Sequence, residues 1–360
     1  MSDSQAAAQV GKPVQNANAG PASDGERGPE AAAPAPEAST AAVTGGGPGR
    51  GRGLLGLVTA VMRSRLVRWG FVALTVGLGA YAVASQWTHV QSDLARLGFL
   101  PVAGALVGVL AALVAAMQVW RVLLAALGSP LPARPAARIM FIGQLGKYLP
   151  GSIWPVLAQM ELGNEHQVPR HRSASASILT MLLTVLTGLL TGLVALPFVA
   201  GSTSYVWALL AAPVLLVLLV PRVLNAVLNK ILRLARRQPL EVELTGRAIA
   251  AALGWSFVSW VFYGLQIWLL AVTLGAPAGK TALLALGGFA FAWTVGFLVV
   301  FAPAGLGVRD VLLALTLGLV IAHGAALAIA LVSRVLLTIG DLVTAGVAAA
   351  FTRRPGAPPA

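Results

Sequence analysis

Long apolar runs with almost no charge constrain this chain more than any other feature of its sequence. Residues 98–120, 173–200 and 248–274 are the clearest, and each exceeds the roughly 20 residues that a helix needs to cross the hydrocarbon core of a bilayer. Only 10% of the residues are charged and 57% are hydrophobic, whereas a soluble domain is about 25% charged and about 45–50% apolar. The sequence therefore predicts an all-α polytopic membrane protein.

Further apolar runs cover residues 69–86, 205–220, 281–303, 311–322 and 324–351. Together the runs predict about 6–8 transmembrane helices in a membrane domain over residues 61–352. Residues 1–60 are rich in Ala, Pro and Gly without apolar periodicity, which predicts a disordered cytoplasmic tail, and no signal peptide is expected at their start. Residues 353–360 are expected to form a second, short cytoplasmic tail.

Basic residues between the apolar runs give the chain a net charge of +13. By the positive-inside rule, the links that carry only Arg96 or Lys280 face the outside, and the strongly basic links and both termini face the cytoplasm. This alternation predicts a multi-pass protein of the plasma membrane. Its positive charge is expected to meet anionic membrane lipids, not nucleic acid. The links predicted to be cytoplasmic contain Arg121, Arg134, Arg138, Arg170, Arg172, Arg222, Lys230, Arg233, Arg236, Arg237, Arg353 and Arg354.

A Pro/Gly-broken stretch, residues 143–155, is apolar enough to enter the membrane but too interrupted to form one helix. Pro150 removes a backbone donor and Gly151 permits a turn. The flanking residues Arg138 and Arg170 are both predicted to be cytoplasmic, so the segment is expected to be re-entrant. Backbone of this kind survives at membrane depth only beside protein or a watery cavity.

A second broken stretch, residues 301–310, puts Pro303, Gly305 and Gly307 between apolar runs and ends in the charged pair Arg309-Asp310. Paired interruptions in two halves of a membrane protein are typical of a transporter binding site. The halves align as an inverted repeat if residues 281–322 form a re-entrant hairpin. The alternative makes 281–303 and 311–322 two full spans, giving eight crossings. We favour the inverted repeat, because 311–322 is too short to span unaided.

Arg334 lies well inside the last apolar run, where a charge is costly and is expected to face the bundle interior. Asp341 follows seven positions later on nearly the same helical face, too far along the axis to pair with Arg334 directly. Arg334 is therefore expected to meet Asp310 or a lipid phosphate. The alternative to a substrate role is a buried ion pair that locks the two halves together.

The remaining polar residues indicate no catalytic or metal chemistry. The chain has no cysteine, and its four histidines lack metal-ligand spacing, so neither a metal nor another cofactor is expected. No nucleotide-binding, zinc-protease or nucleophile-elbow motif occurs. Interhelical hydrogen bonds are expected from Gln118, Gln266, Ser256, Ser259 and Tyr263.

The two broken segments, about 150 residues apart, resemble those of the lysylphosphatidylglycerol synthase transmembrane family, over roughly residues 60–352. The resemblance implies a flippase-like domain that moves a lipid with a polar or charged headgroup, such as an aminoacylated phospholipid or a polyprenyl phosphate. It also implies that the cytosolic aminoacyltransferase domain of some relatives is missing here. The residues that carry the resemblance are Gly143, Gln144, Lys147, Tyr148, Pro150, Gly151, Trp154, Pro303, Gly305, Gly307, Arg309 and Asp310.

Three departures from the family pattern bear on substrate choice. Relatives usually have Gly where Ala304 stands and Glu where Asp310 stands. Many also carry an acidic residue in the helix after the first motif, where this chain offers Ser173, Ser175, Ser177 and Thr180.

These features together predict a translocase, not an enzyme, that moves an anionic or lipid-linked headgroup. Two alternatives stay open: a membrane-embedded glycosyl- or acyltransferase using Asp310 or Asp341 as base, and a non-transporting subunit that recruits an unknown protein through its tail. The residues expected to contact the substrate are Gln144, Lys147, Tyr148, Pro150, Gly151, Trp154, Pro303, Gly305, Gly307, Arg309, Asp310 and Arg334.

Overall fold

The computed structural model describes residues 92–93, 95–148, 153–195, 204–234, 244–299 and 307–350. Throughout these ranges the regular elements are helical. They are α1 (Phe99–Ala126), α2 (Ala133–Ala137), a π-helical turn (Arg138–Ile142), a 3₁₀ turn (Leu145–Tyr148), α3 (Trp154–Asn164), α4 (Arg170–Gly192, continued by a 3₁₀ turn over Leu193–Ala195), α5 (Ser204–Leu218), α6 (Pro221–Leu234), α7 (Gly246–Thr273), α8 (Ala278–Leu298), α9 (Val308–Leu317) and α10 (His323–Ala350).

Five helices in the described part of the chain are long and apolar enough to cross a membrane: α1, α4 with its 3₁₀ turn, α7, α8 and α10. This confirms the predicted all-α polytopic membrane fold. The run predicted as the first span, residues 69–86, lies outside the described residues, as do the tails predicted over 1–60 and 353–360. The run predicted over 205–220 forms α5, which has 15 residues.

Helix α1 extends six residues beyond the predicted end at Trp120, because Arg121 does not terminate it. The Arg121 side chain folds back, donating from Nη1 to Gln118 Oε1 (3.1 Å) and from Nε to the Leu131 carbonyl (2.8 Å). The helix ends instead at Ala126, two residues before Gly128, whose φ of 83° suits glycine and allows Ser129 N–H to bond the Leu124 carbonyl. Gly275, with φ of 94°, ends α7 in the same way.

Helices α1 and α7 form an antiparallel pair at the centre of the described bundle. Gly104 faces Leu269 and Gly108 faces Gln266, so residue numbers that increase along α1 meet residue numbers that decrease along α7. The Ser259 hydroxyl donates to the Ala112 carbonyl (3.0 Å). Both helices have 28 residues, and Ala112 and Ser259 are each the fourteenth. The two helices therefore touch at equivalent midpoints. An approximate two-fold axis perpendicular to the helices produces this arrangement.

The segment from α2 to α3, residues 133–164, forms a hairpin that we call the first hairpin. Arg138 Nη1 lies 3.0 Å from Glu165 Oε2 where the hairpin opens. Further in, Gln159 Nε2 donates to Met140 Sδ (3.3 Å), and Gly146 abuts the backbone of Trp154 and Pro155. The arms are therefore antiparallel, which confirms that this segment begins and ends on one side of the bundle. Its predicted turn residues Pro150 and Gly151 lie outside the described residues.

Helices α8 and α9 form a second hairpin. Gly296 of α8 faces Arg309, and Gly288 faces Thr316, so α9 runs back alongside α8. Helix α9 has 10 residues, about 15 Å of helix at 1.5 Å per residue, which is half of a bilayer core. This supports the predicted hairpin over the alternative with a full span here. Pro303 and Gly305 lie outside the described residues.

The two hairpins open at opposite ends of the bundle. The first follows the end of α1, where Arg172 at the start of α4 donates to the Gly128 carbonyl (3.0 Å). The second begins at the other end, where Trp268 near the end of α7 donates to the Ala278 carbonyl (2.9 Å). Opposite entry is the geometry of an inverted repeat, and it supports that prediction.

Further contacts between the helices recur at matching positions in the two halves. Trp120 Nε1 donates to Ser177 Oγ between α1 and α4 (3.3 Å), and Gln266 Nε2 donates to Ser333 Oγ between α7 and α10 (2.9 Å). Trp120 and Gln266 are the 22nd and 21st residues of their helices. Of the predicted interhelical bonds, those of Gln266 and Ser259 are confirmed, and Ser256 bonds Thr187 of α4 (2.7 Å). Gln118 instead bonds within its own helix.

Close approach of α7 and α8 at Gly264 gives a direct test of this packing. A Cβ atom at Gly264 would lie 2.7 Å from the Leu286 Cα, a backbone atom that cannot rotate away, whereas nothing lies within 4 Å of one at Gly254 in the same helix. We expect Gly264→Ala to lower the free energy of unfolding by about 1–3 kcal/mol. Gly254→Ala should leave it unchanged or raise it by about 0.4–1 kcal/mol. Thermal unfolding in detergent measures both, and equal midpoints would contradict the described α7–α8 contact.

Candidate functional site

Helix α10 carries two charged residues in its interior, Arg334 and Asp341. They are the twelfth and nineteenth of its 28 residues, so they lie about 10 Å apart along the axis and on nearly the same face. A helix of this length exceeds the hydrocarbon core, so both positions fall within its central part. Each of these two residues forms an ion pair with a different hairpin.

Asp341 holds the first hairpin. The Tyr148 hydroxyl donates to Asp341 Oδ2 (2.6 Å), and Lys147 Nζ lies 2.7 Å from the same oxygen. The Asp341 side chain is only 4% exposed, whereas that of Lys147 is 33% exposed. The carboxylate is therefore enclosed, and the ammonium retains an accessible side.

Asp310 and Arg334 join the second hairpin to the same helix. Arg334 Nη1 donates to Asp310 Oδ2, which confirms the predicted pairing of these residues. The Gly307 N–H also donates to Asp310 Oδ2 (3.3 Å), so the carboxylate caps the start of α9. Gly307 has a φ of 81°, a conformation that favours glycine.

Arg309 places a second guanidinium beside the same carboxylate. Its Nη2 lies 3.4 Å from Asp310 Oδ1, and the residue is 9% exposed. Arg309 is close enough to Tyr263, Tyr148 and Asp341 to interact electrostatically with each of them. Among the described residues, its hydrogen-bond partner is the Asp310 carboxylate, so most of its five N–H donors remain for another acceptor.

These groups form what we call the charged cluster. Its three cationic side chains face two carboxylates, which leaves one positive charge in excess. Two aromatic rings lie beside the cluster. Tyr263 is close enough to Asp341 and Arg309 to interact with them electrostatically, and its ring stacks on Phe289 with centroids 5.2 Å apart. An arrangement with surplus cationic donors next to apolar rings suits an anionic group attached to an apolar body. The members of the cluster are Lys147, Tyr148, Arg309, Asp310, Arg334 and Asp341.

The predicted site residues are only partly brought together. The cluster contains five of the predicted side chains, Lys147, Tyr148, Arg309, Asp310 and Arg334. Gly307 contributes its backbone N–H. Gln144 does not, since its Nε2 faces Met140 Sδ at 4.0 Å in its own arm. Trp154 begins α3 and is 44% exposed. The predicted contribution of four further residues stays a prediction, because Pro150, Gly151, Pro303 and Gly305 lie outside the described residues.

Asp341 was not predicted as a substrate-site residue, although the structure makes it the partner of both Lys147 and Tyr148. The sequence indicates that Asp341 belongs to the site, because Asp341 follows Arg334 by seven residues on nearly the same face of an apolar helix. The contact itself joins residues 193 positions apart, which sequence spacing does not reveal.

The matching region of the first half is polar but uncharged. Ser177 of α4 bonds Gln159 Oε1 and accepts from Trp120 Nε1, and Ser173 donates to the Gln159 carbonyl (2.9 Å). The charges of the described bundle interior are therefore concentrated on α9, α10 and the first hairpin.

Within the described ranges, no group of three His, Asp or Glu side chains is placed to hold a metal ion. The absence of a metal and of other cofactors stays a prediction for the whole chain.

The family model described as Lysylphosphatidylglycerol synthase TM region matches residues 68–344, which include both hairpins and the whole charged cluster. No curated protein matches the chain.

Proposed function

This chain belongs to the lysylphosphatidylglycerol synthase transmembrane family, and we propose that it is a translocase for lipids with an anionic phosphate headgroup, either a phospholipid or a polyprenyl phosphate. The observation that carries the proposal is the charged cluster. It joins two hairpins that open at opposite ends of the bundle, and it holds one more cation than it has carboxylates.

The excess charge supports an anionic ligand. Guanidinium groups match the geometry of phosphate oxygens, and the ammonium of Lys147 adds a point charge. Asp310 and Asp341 then serve as internal partners that keep the cations in place without a ligand. A phosphate that enters the cluster balances the surplus positive charge, so neither carboxylate needs to lose its cationic partner.

Entry of the hairpins from opposite ends supports movement across the membrane. Each hairpin enters from its own end of the bundle and brings charged groups to the cluster, and an ion pair holds each hairpin to α10. A headgroup can therefore exchange partners within the cluster while its acyl chains stay in lipid. This follows the general design of transporters, in which broken segments from two inverted halves meet at a substrate site.

We further propose that the protein is not an enzyme. A transferase acting on a polyprenyl phosphate needs a free carboxylate base near the headgroup, and Asp310 and Asp341 are the candidates that the sequence offers. Both carboxylates are already engaged, Asp310 by Arg334 and the Gly307 N–H, and Asp341 by Lys147 and Tyr148. Carboxylates held by cations are poor bases.

The proposed location is the plasma membrane, with the end that contains Gly128, Arg172 and the start of α7 facing the cytoplasm. This end carries the basic residues of the first hairpin and of α4, and the opposite end carries Arg96 and Lys280. The positive-inside rule then places both termini in the cytoplasm.

Reconstitution tests the proposal. Proteoliposomes would receive fluorescent phosphatidylglycerol, phosphatidylcholine or a polyprenyl phosphate in separate preparations, and a membrane-impermeant quencher would report the headgroups that reach the outer leaflet. We expect movement of at least one anionic lipid to exceed that in protein-free liposomes, with mass spectrometry recovering the lipid unchanged. Movement no faster than in protein-free liposomes would contradict the proposal, and a covalently altered lipid would indicate the transferase.

A further inference from the structure

Helix α6, Pro221–Leu234, lies outside the charged cluster and has a sharply two-sided surface. At 100° per residue, Arg222, Lys230 and Arg233 fall within about 80° of one another on one face. Leu224 lies on the opposite face, Val227 lies on the apolar side at about 140° from Arg222, and Val223 lies at the boundary between the two faces. The helix contains no Asp or Glu.

The first turn of α6 is fixed to the bundle. Leu224 is fully buried, and Asn225 exchanges two hydrogen bonds with the Leu244 backbone, each 3.3 Å long. Pro221 lies against Gly246, the first residue of α7. The start of α6 is therefore held at the end of the bundle where the first hairpin opens, which is where a membrane surface meets the spanning helices.

The basic face of α6 is open. Arg222, Lys230 and Arg233 are exposed, and none of them forms an ion pair with another residue in the described ranges. Val223 and Val227 are only partly covered by the protein. An amphipathic helix with a basic polar face, tethered at the bundle end, has the features of a helix that lies in a membrane interface.

We propose that α6 is an interfacial helix that binds the anionic headgroups of the surrounding membrane, with its apolar face toward the acyl chains. The partner is a lipid surface because the apolar face needs hydrocarbon and the basic face needs phosphate, and a bilayer presents both at the bundle end. Each basic residue near an anionic surface contributes about 1 kcal/mol, or about fivefold in binding. Three such residues favour the docked state by about 100-fold. This proposal does not depend on translocation.

Spin labels on single cysteines test it, because the chain has no native cysteine. Labels at Val227→Cys on the apolar face and Ala226→Cys on the polar face would be compared in nanodiscs of phosphatidylcholine with and without phosphatidylglycerol. We expect the Val227→Cys label to become accessible to oxygen and protected from a water-soluble relaxant when phosphatidylglycerol is present. The Ala226→Cys label should stay accessible from water.

Neutralising the basic face should abolish this response. Arg222→Gln/Lys230→Gln/Arg233→Gln is expected to shift the docked-to-undocked ratio by about 100-fold, whereas Arg222→Lys/Arg233→Lys, which keeps the charge, should retain docking. Arg96→Gln/Arg247→Gln/Lys280→Gln removes the same charge elsewhere and serves as the matched control. The proposal is overturned if the Val227→Cys label is exposed to water in both types of nanodisc. It is also overturned if the control triple variant loses docking as fully as the α6 variant, or if only an added acidic protein protects the label.

Discussion

Arg334→Gln is expected to slow movement of the anionic lipid headgroup by about 100-fold in proteoliposomes. Removing one partner of a hydrogen-bonded charge pair costs about 2–5 kcal/mol in binding, and 1.4 kcal/mol corresponds to about tenfold. Arg334 supplies one of the three cations of the cluster and holds Asp310 of the second hairpin. The variant therefore lacks both a donor for the phosphate and the contact that places the hairpin.

The matched control is Arg96→Gln. Arg96 also pairs with an aspartate, Asp93, at 3.4 Å, but its side chain is 63% exposed and lies at the end of the bundle. An exposed pair of this kind contributes about 0–1 kcal/mol, so this variant should move lipid at the wild-type rate. A comparable loss in both variants would contradict a specific role for Arg334.

A double variant separates a substrate role from a structural lock. The side chains of Arg334 and Asp310 are 23% and 19% exposed, so Arg334→Gln alone should lower stability by less than the roughly 3–5 kcal/mol lost when a fully buried pair is broken. In Asp310→Asn/Arg334→Gln no unpaired carboxylate remains, and the amide can still accept from the Gly307 N–H. We expect the thermal midpoint to recover while transport stays low. Recovery of transport with stability would instead indicate that the pair serves only as a lock.

Lys147→Met is expected to have the second largest effect, through Asp341. The Asp341 side chain is 4% exposed and, among the described residues, would keep the Tyr148 hydroxyl as its hydrogen-bond partner. A buried carboxylate deprived of its cation destabilises a protein by about 3–5 kcal/mol, and Lys147 is itself partly exposed, so we expect the lower part of that range. Thermal unfolding in detergent measures the loss, and lipid movement should fall as well.

Two further variants control for this prediction. Tyr148→Phe removes one neutral donor and should cost about 1 kcal/mol, less than Lys147→Met. Lys147→Met/Asp341→Asn removes both charges and should regain much of the stability, because the Asn amide can accept from Tyr148. A double variant that is less stable than Lys147→Met would refute the ion pair as the contact that holds the first hairpin to α10.

Much of this fold follows from local sequence features. Pro150 and Pro155 interrupt an apolar stretch between two basic flanks, which predicts a hairpin because the chain must return to the side that it left. The pairing of Arg334 with Asp310 was also predictable, because few charges lie among apolar segments and each needs a partner. The exact helix ends were less predictable. At Arg121, a long side chain could fold back onto nearby acceptors, so that a charge did not mark the end of α1.

The contacts of Asp341 depend on how the halves pack, and no spacing along the chain indicates them. A repeat signal was nevertheless present. Leu127-Gly128-Ser129-Pro130 and Leu274-Gly275-Ala276-Pro277 follow the two central helices at equivalent positions, and both glycines adopt the left-handed conformation that ends a helix. Aligning these motifs would have matched α1 with α7 from the sequence. The basic residues of α6 show no such motif, and their position on one face becomes apparent once the helix is known to cover Pro221–Leu234.

The central claim is that surplus positive charge between the hairpins selects an anionic headgroup for movement across the membrane. The ratio of initial rates for phosphatidylglycerol and phosphatidylcholine in the same proteoliposomes measures that selectivity most directly. We expect the wild-type protein to favour the anionic lipid by about tenfold or more, the effect of about 1.4 kcal/mol of differential binding, and Arg334→Gln and Lys147→Met to bring the ratio toward one. Equal rates for the two lipids in the wild-type protein, or a ratio that both variants leave unchanged, would contradict the claim.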